Sequence, residues 1–182
     1  MLSILVASFK DKPLGSFGGP SDYVYHLHLP LTGTPADFVS AIAGLTAIGG
    51  SDLPEAQLEA LDLLSQDSAV GFRASVRRFV VLATDAPPHV APECVAAGLC
   101  TGPNNGDAVA DPSEDYPSIA MVVDTLNAQG VTPIFAVAGG YESFYQPIVD
   151  ALGHGRVVTL ASDSKNLKSA IYAGLPCHCG TP

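Results

Sequence analysis

The sequence predicts an α/β domain in which a mainly parallel sheet is flanked by helices. Compact apolar runs rich in β-branched residues alternate along the chain with amphipathic segments of helical period, as in sheets covered on both faces. Hydrophobic residues make up 47% and charged residues 14% of the 182 residues, which suits one buried core. Neither an internal repeat nor a heptad pattern breaks this alternation.

The first part of the chain contains two predicted strands and a predicted helix. Apolar and alternating patterns predict strands at Leu2–Phe9 and Tyr23–Leu29, the second at a sheet edge. A helix reaching Thr46 is predicted because Thr34 is a favoured N-cap and Pro35 occupies the first helical position.

A second helix is predicted from the apolar stripe of Leu58, Leu61 and Leu64. Asp52 and Glu55 stand at its expected start. Their spacing matches a capping box, with Asp52 as N-cap and Glu55 reaching back. Carboxylates are also ligands of hard cations, so the spacing alone leaves a cap and a metal site as alternatives.

The rest of the chain continues the alternation of strand and helix. Strands are predicted at Arg78–Ala83, Thr132–Val137 and Val157–Leu160, and helices at Pro117–Gln129, Tyr141–Leu152 and Ser164–Tyr172. The segment Pro87–Asp115 is predicted to be a long loop, and loops of this length are usually functional or mobile. Cys94 and Cys100 flank a short turn inside it and are candidates for a small disulfide.

Charge and composition narrow the classes of partner. Lys and Arg total 8 against 18 Asp and Glu, giving a net charge of −10. This balance opposes nucleic-acid binding and favours cations or a basic protein surface, with solubility alone as the alternative. The sequence shows no run long enough to span a membrane, and the start, Met1–Ala7, is typical of a strand rather than a signal peptide.

Two further cysteines lie near the end of the chain, in Cys177-His178-Cys179. A structural zinc site usually needs four ligands, and no second half of such a site is evident in the sequence. The cysteines favour an oxidising compartment weakly.

Four carboxylates are expected to converge on one rim of the domain. Asp11 and Asp85 each follow a predicted strand, and Asp52 and Glu55 belong near the same sheet edge. Hard cations such as Mg²⁺ and Ca²⁺ prefer such oxygen ligands. Helix capping and ordinary loop positions are the alternatives.

Enzyme signatures are weak. The sequence contains neither a nucleophile elbow nor a phosphate-binding loop. His89, four residues beyond Asp85, is the one histidine whose placement suggests chemistry, so a hydrolase is kept as a remote alternative.

Six segments in series resemble the von Willebrand factor A-type domain of integrin β subunits, also called the β I-like domain. They are Phe9–Pro13, Asp52–Glu55, Phe79–Ala86 with His89, Asp115–Ile119, Ile134–Val137 and Ser162–Leu167. The resemblance implies a three-layer, Rossmann-like domain over residues 1–174, followed by a cysteine-containing tail at 175–182, and no enzymatic activity.

The resemblance also implies cation sites. Glu55 and Asp85 match ligands of a Mg²⁺ adhesion site, where the metal coordinates an acidic residue of a protein ligand. Asp11, Asp52 and Glu55 match ligands of a neighbouring Ca²⁺ site.

Further site residues follow from the same resemblance. The Pro54 carbonyl matches another ligand of the Ca²⁺ site, and Ser162 matches a carbonyl ligand of a third site. Glu55, Asp85 and His89 are the residues expected to face the partner. An Asn ligand of the family falls at Gly50, so one side-chain oxygen is lost.

The chain departs from the family at its start. The family's first strand and its Asp-x-Ser-x-Ser loop would precede Met1, so the domain is expected to be N-terminally incomplete. Three outcomes are open: the chain is a fragment, a complementing strand fills the slot, or the remaining strands form a modified sheet. A structural or interaction domain without metal binding is therefore the main alternative function. An integrin α-like subunit is a further expected partner, and the expected location is extracellular or at the cell surface, as part of a longer protein.

Overall fold

A computed structural model describes residues 3–32 and 34–174 of the chain. The strands are β1 (Ile4–Ser8), β2 (His26–Thr32), β3 (Arg78–Thr84), β4 (Val131–Val137) and β5 (Arg156–Thr159). The helices are α1 (Pro35–Ala43), α2 (Gln57–Gln66), α3 (Glu93–Ala96), α4 (Ile119–Gln129), α5 (Glu142–Leu152) and α6 (Leu167–Gly174). The predicted α/β class is confirmed, whereas the tail with Cys177, His178 and Cys179 lies outside the described residues. No helix in the described part of the chain is both long and apolar enough to cross a bilayer.

The strands form two separate sheets. Strands β3, β4 and β5 make a parallel sheet in that order, with Val80 opposite Pro133 and Phe135 opposite Val157. Strands β1 and β2 pair antiparallel in a second sheet. Within the described residues no backbone ladder joins β1 to β3, so the edges of both strands remain open. The sheet is thus parallel in its larger part, as predicted, but divided between β1 and β3.

The main core lies where α2, α4 and α5 pack on the parallel sheet. Leu58 and Leu61 of α2, Leu126 of α4 and Phe135 of β4 are buried there. The strand β1 and the residues that follow it contribute side chains to the same core, including Phe9. This shared core holds the two sheets together without a hydrogen-bonded ladder, because burial of apolar area needs no particular bond direction.

The helix α2 starts later than the carboxylate spacing suggested. Gln57 is its first residue, and Ala56 occupies the N-cap position without a side-chain cap. Of the two alternatives that the spacing left open, the capping box is therefore not formed. The physical reason is the backbone of Glu55, whose N–H donates to Pro87 O at 3.1 Å and whose carbonyl accepts from His89 N at 2.9 Å. These bonds hold Glu55 in an extended bridge, so its carboxylate and that of Asp52 are free of capping.

The predicted loop between β3 and α4 contains a short helix, α3. The disulfide between Cys94 and Cys100 closes its end, as the sequence suggested. The carboxylate of Asp115 accepts from the backbone N–H groups of Cys94 and Val95 at 3.0 and 3.2 Å. The loop is thus anchored at both ends, and His89 lies just before its helix.

Candidate metal centre

The carboxyl ends of β1 and β3 open on the same cleft, as the topology argument predicted. The cleft measures about 480 Å³, and its lining includes Phe9, Ala83, Asp85 and Glu55. Asp11 follows β1 into a buried position beside the bend that carries Asp52.

Three polar groups converge outside the lining of this cleft, near Glu55. Asp11, Asp52 and His89 each bring one ligand atom to within 4.8 Å of the other two. Asp52 reaches them from a partly exposed bend, whereas Asp11 and His89 are buried. The sequence predicted one rim for Asp11 and Asp52, and in the structure these two residues lie close together. His89 was not expected in this group, because the sequence suggested for it a position that faces the partner.

Asp11 is the most enclosed member of the group. Its Oδ1 accepts from Lys12 N at 2.7 Å and from the hydroxyl of Tyr116. Its Oδ2 lies 3.1 Å from Nε2 of His89, but the angles do not make a hydrogen bond, so this buried oxygen has no hydrogen-bond partner among the described residues. A buried carboxylate oxygen without a partner is costly, since its desolvation is not repaid.

His89 carries the positive charge of the group. Its ring stacks on Tyr116 with centroids 4.5 Å apart, and its Nδ1 lies 2.5 Å from Glu93 Oε2. Burial opposes the charged form, but Asp11 and Glu93 outweigh burial and raise the pKa of His89 to about 9. The imidazolium is therefore the counter-ion of these carboxylates at neutral pH. With an exposed fraction of 2%, the residue is better placed to hold the group together than to contact a partner.

Glu55 lies at the edge of the same group. Burial, reinforced by the negative charges of Asp11 and Asp52, raises the pKa of Glu55 to about 7. Its Oε2 is buried and has no hydrogen-bond partner among the described residues. The raised pKa shows that the negative potential of Asp11 and Asp52 disfavours a third negative charge on Glu55. A bound cation would reduce this negative potential.

Gly50 leaves the space that the Glu55 carboxylate occupies, because glycine has no side chain. The glycine has φ +70°, and a Cβ built there would lie 2.5 Å from Glu55 Oε1. A side chain at this position would force Glu55 to move. An Asn at position 50 could supply the amide ligand of the family only if the Glu55 carboxylate moved.

The remaining predicted site residues are less closely tied to the group. Asp85 is exposed and faces the cleft together with Glu55. Pro54 lies in the bend between Asp52 and Glu55, and Ser162 lies in an exposed turn after β5. The structure gives Ser162 no hydrogen bond to any of these carboxylates, so its part in a metal site stays a prediction.

The donor set fits a hard divalent cation. All the acidic donors are carboxylate oxygens, the ligand type that Ca²⁺ and Mg²⁺ prefer. Two of these oxygens, Asp11 Oδ2 and Glu55 Oε2, are buried without a hydrogen-bond partner in the described part of the chain. Glu55 Oε2 is therefore an oxygen that a cation could use, whereas Asp11 Oδ2 already faces the His89 imidazolium at 3.1 Å.

Sequence reasoning missed the groups that support the site. Lys12 Nζ lies 2.7 Å from Glu59 Oε1 and 5.1 Å from the centroid of the Tyr116 ring, and both charged side chains are buried. Glu93 pairs with His89 at a spacing of four residues, but His89 precedes the helix that begins at Glu93, so helical periodicity does not predict this pair. The contacts of Lys12 and Tyr116 join residues that are far apart in the sequence, so no local sequence pattern predicts them.

The stability of the protein is expected to fall as the pH rises from 4.5 to 7, in part through Glu59. Burial outweighs the attraction of Lys12 and raises the pKa of Glu59 from 4.5 to about 7. The folded state thus holds a proton that the unfolded state releases in this window, so the stabilisation is present below pH 4.5 and lost through pH 7. The change should be about 1–3 kcal/mol.

Urea unfolding at both pH values measures this effect. Glu59→Gln should reduce the difference between the two pH values, whereas Asp124→Asn, which changes an exposed carboxylate of α4, should leave it unchanged. Equal pH dependence in the wild type and in Glu59→Gln would contradict the assignment.

Comparison with known sequences places this geometry in a family. The sequence model of the integrin beta chain VWA domain matches residues 12–174. Integrin beta-PS of Drosophila melanogaster is 29% identical over 154 residues, covering 80% of this chain and 18% of the relative. Integrin beta pat-3 of Caenorhabditis elegans is 29% identical over 160 residues, covering 82% and 20%. Integrin beta-1 of Gallus gallus is 27% identical over 174 residues, covering 91% and 21%.

The chain spans about a fifth of the length of the curated relatives it matches. The family match itself extends over most of the chain, from Lys12 to Gly174. It includes the bend with Asp52, the buried His89 and the parallel sheet. This chain therefore belongs to the integrin beta chain von Willebrand factor A domain family.

Proposed function

We propose that this chain is a divalent-cation-dependent adhesion or ligand-binding domain that engages an acidic residue of a protein partner. The observation that carries the proposal is a pair of buried oxygens, Asp11 Oδ2 and Glu55 Oε2, that lack a hydrogen-bond partner among the described residues and lie close to Asp52. Family membership supports the same conclusion, since the relatives are integrin beta chains.

Each acidic residue has a role in this proposal. Asp11, Asp52 and Glu55, with the Pro54 carbonyl, would hold Ca²⁺. Glu55 and Asp85 would hold Mg²⁺ at the cleft, where both residues line the opening. A metal with an incomplete protein shell supplies a positive charge that accepts a partner carboxylate. Ser162 is proposed as a carbonyl ligand of a third site.

His89 positions the carboxylates in this account. Its imidazolium ring lies between Asp11 and Glu93 and is clamped by the rings of Phe17 and Tyr116. The ring therefore fixes Asp11 on one side of the group while Asp52 approaches from the other. Electrostatic repulsion among the carboxylates is reduced before any cation binds.

The proposed partners follow from the family and from the sheet. The relatives carry the name integrin, so we propose a cell-surface location as part of a longer protein, an α-like subunit and a protein ligand with an acidic residue. The open edges of β1 and β3 also fit a complementing strand. We assign no enzymatic activity.

A structural or interaction domain without metal binding is the second candidate. The observation that favours it is the imidazolium of His89, which already neutralises part of the acidic charge. Gly50 supplies no side-chain ligand, which weakens the Ca²⁺ set further. The two candidates differ in one measurable property, the response of the folded state to divalent cations.

Millimolar Ca²⁺ or Mg²⁺ is expected to raise the melting temperature of the wild-type chain. Binding to the folded state at a hundredfold excess over Kd adds about 2.7 kcal/mol, which corresponds to about 5–10 °C for a domain of this size. Asp52→Ala should abolish the rise, because Asp52 reaches the group from a partly exposed bend and can be removed without opening the core.

Asp124→Ala is the matched control, since it removes one exposed carboxylate from α4, away from the cleft. This variant should respond to the cations as the wild type does. An identical response of the wild type and Asp52→Ala, or no response in either, would count against the proposal.

A further inference from the structure

The outward face of β2 carries two histidines that the carboxylate site does not use. His26 and His28 are exposed and separated by one residue, so both side chains project from the same face of the strand. Leu27 and Leu31 project from the opposite face and pack against the main core. The histidines are therefore held by a strand whose other face is anchored.

The two imidazole rings meet each other. Their centroids lie 4.5 Å apart with an interplanar angle of 67°. The Nε2 atom of His28 lies 2.7 Å from Ser8 Oγ, and that hydroxyl lies 2.8 Å from the Tyr23 hydroxyl. Such a hydrogen bond fixes the orientation of a histidine. In the tautomer whose Nε2–H donates to Ser8 Oγ, Nδ1 carries the lone pair that can bind a metal.

We propose that His26 and His28 form a chelating site for a borderline transition-metal ion of the Zn²⁺ class. Imidazole nitrogen is a preferred ligand of Zn²⁺, Cu²⁺ and Ni²⁺, whereas Ca²⁺ and Mg²⁺ prefer oxygen. The site is thus chemically distinct from the carboxylate group around Asp11. Two protein ligands leave coordination positions open to water or to a partner side chain.

The surroundings keep His28 ready to bind a metal. His28 is exposed, so a metal ion has access to the ring from solvent. His28 also belongs to the lining of the cleft that contains Glu55 and Asp85. A metal held there would lie at the rim of the proposed ligand-binding surface.

Zn²⁺ titration followed by NMR of the histidine Hε1 protons tests the proposal on the full chain. The signals of His26 and His28, assigned with His26→Gln and His28→Gln, should move together and saturate at one equivalent. Each single variant should weaken Zn²⁺ binding at this site at least tenfold. His154→Gln, which removes an exposed histidine elsewhere, is the control and should change nothing.

The outcome is separable from that of the proposed function. The Zn²⁺ response should persist in Asp52→Ala and in the presence of millimolar Ca²⁺, because neither affects the imidazole pair. Other groups that bind Zn²⁺ are the same in the wild type and in the variants, so differences between these proteins report on His26 and His28 alone. Independent shifts of the two histidines, or equal Zn²⁺ affinity in the wild type and both single variants, would overturn the proposal.

Discussion

Replacing Lys12 with methionine is expected to destabilise the folded protein by about 1–3 kcal/mol at pH 7.5, the cost of a lost buried hydrogen bond and of protonating Glu59. The Lys12 ammonium is 1% exposed and lies 2.7 Å from a Glu59 oxygen that is also buried. It also approaches the carbonyl of Asp111 at 3.4 Å. Methionine fits the same space but removes the counter-charge of Glu59, so the pKa of this carboxyl rises above 7 and the buried group takes up a proton. Urea denaturation at pH 7.5 in EDTA measures the loss.

The double variant Lys12→Met/Glu59→Leu separates charge from packing. Because it removes both charges, it should recover most of the lost free energy. A single variant as stable as the wild type would show that water, not Lys12, solvates Glu59. The result also bears on the site, since the backbone N–H of Lys12 holds Asp11 Oδ1.

A peptide with the family's first-strand sequence, added in trans, is expected to bind between β1 and β3 and raise the melting temperature. The edges of these strands are open, and Val81 of β3 is 37% exposed although it is apolar. An inserted strand would pair both edges and cover this side chain. At a hundredfold excess over its Kd the peptide should add about 2.7 kcal/mol, which thermal unfolding can detect.

A variant of that peptide with prolines at alternate positions is the control, because proline cannot donate to the ladder. It should have no effect. Equal effects of the two peptides would contradict the prediction. So would cooperative unfolding of a monomer in which the β3 amides that do not pair with β4 are already protected from hydrogen exchange without peptide.

The sequence was sufficient to locate the strands and helices and to predict that carboxylates of the site lie near one another. Apolar runs and helical stripes located every strand and helix longer than four residues to within a few positions. The rule that ligands gather beyond the carboxyl ends of parallel strands placed Asp11 and Asp85 at one edge, with Asp52 and Glu55 nearby. In the structure Asp11 and Asp52 lie close together although β1 is outside the parallel sheet, and Asp85 lines the cleft.

Long-range contacts set the limit of the sequence analysis. Asp52 and Glu55 match a helix cap in local sequence, but a backbone bridge between Glu55 and the segment around Pro88 overrides that preference. The same applies to His89, whose stacking on Tyr116 and pairing with Asp11 join three distant segments. Patterns of spacing carry no information about such contacts, because tertiary packing decides them.

The division of the sheet shows a further limit. Strand patterns gave the order of the elements but not which strands share a ladder. The core contributed by Phe9 and its neighbours allows β1 and β2 to stay with the parallel sheet without pairing to it.

Calorimetric titration of Ca²⁺ into the wild-type chain and into Asp52→Ala, at pH 7, tests the central claim most directly. The claim is that the carboxylates of Asp11, Asp52 and Glu55 bind a divalent cation. We expect a saturable binding heat for the wild type that is lost in Asp52→Ala and retained in Asp124→Ala. The absence of binding heat in all three proteins, with melting temperatures unchanged by Ca²⁺, would contradict the claim and favour a structural domain in which His89 alone balances the acidic charge.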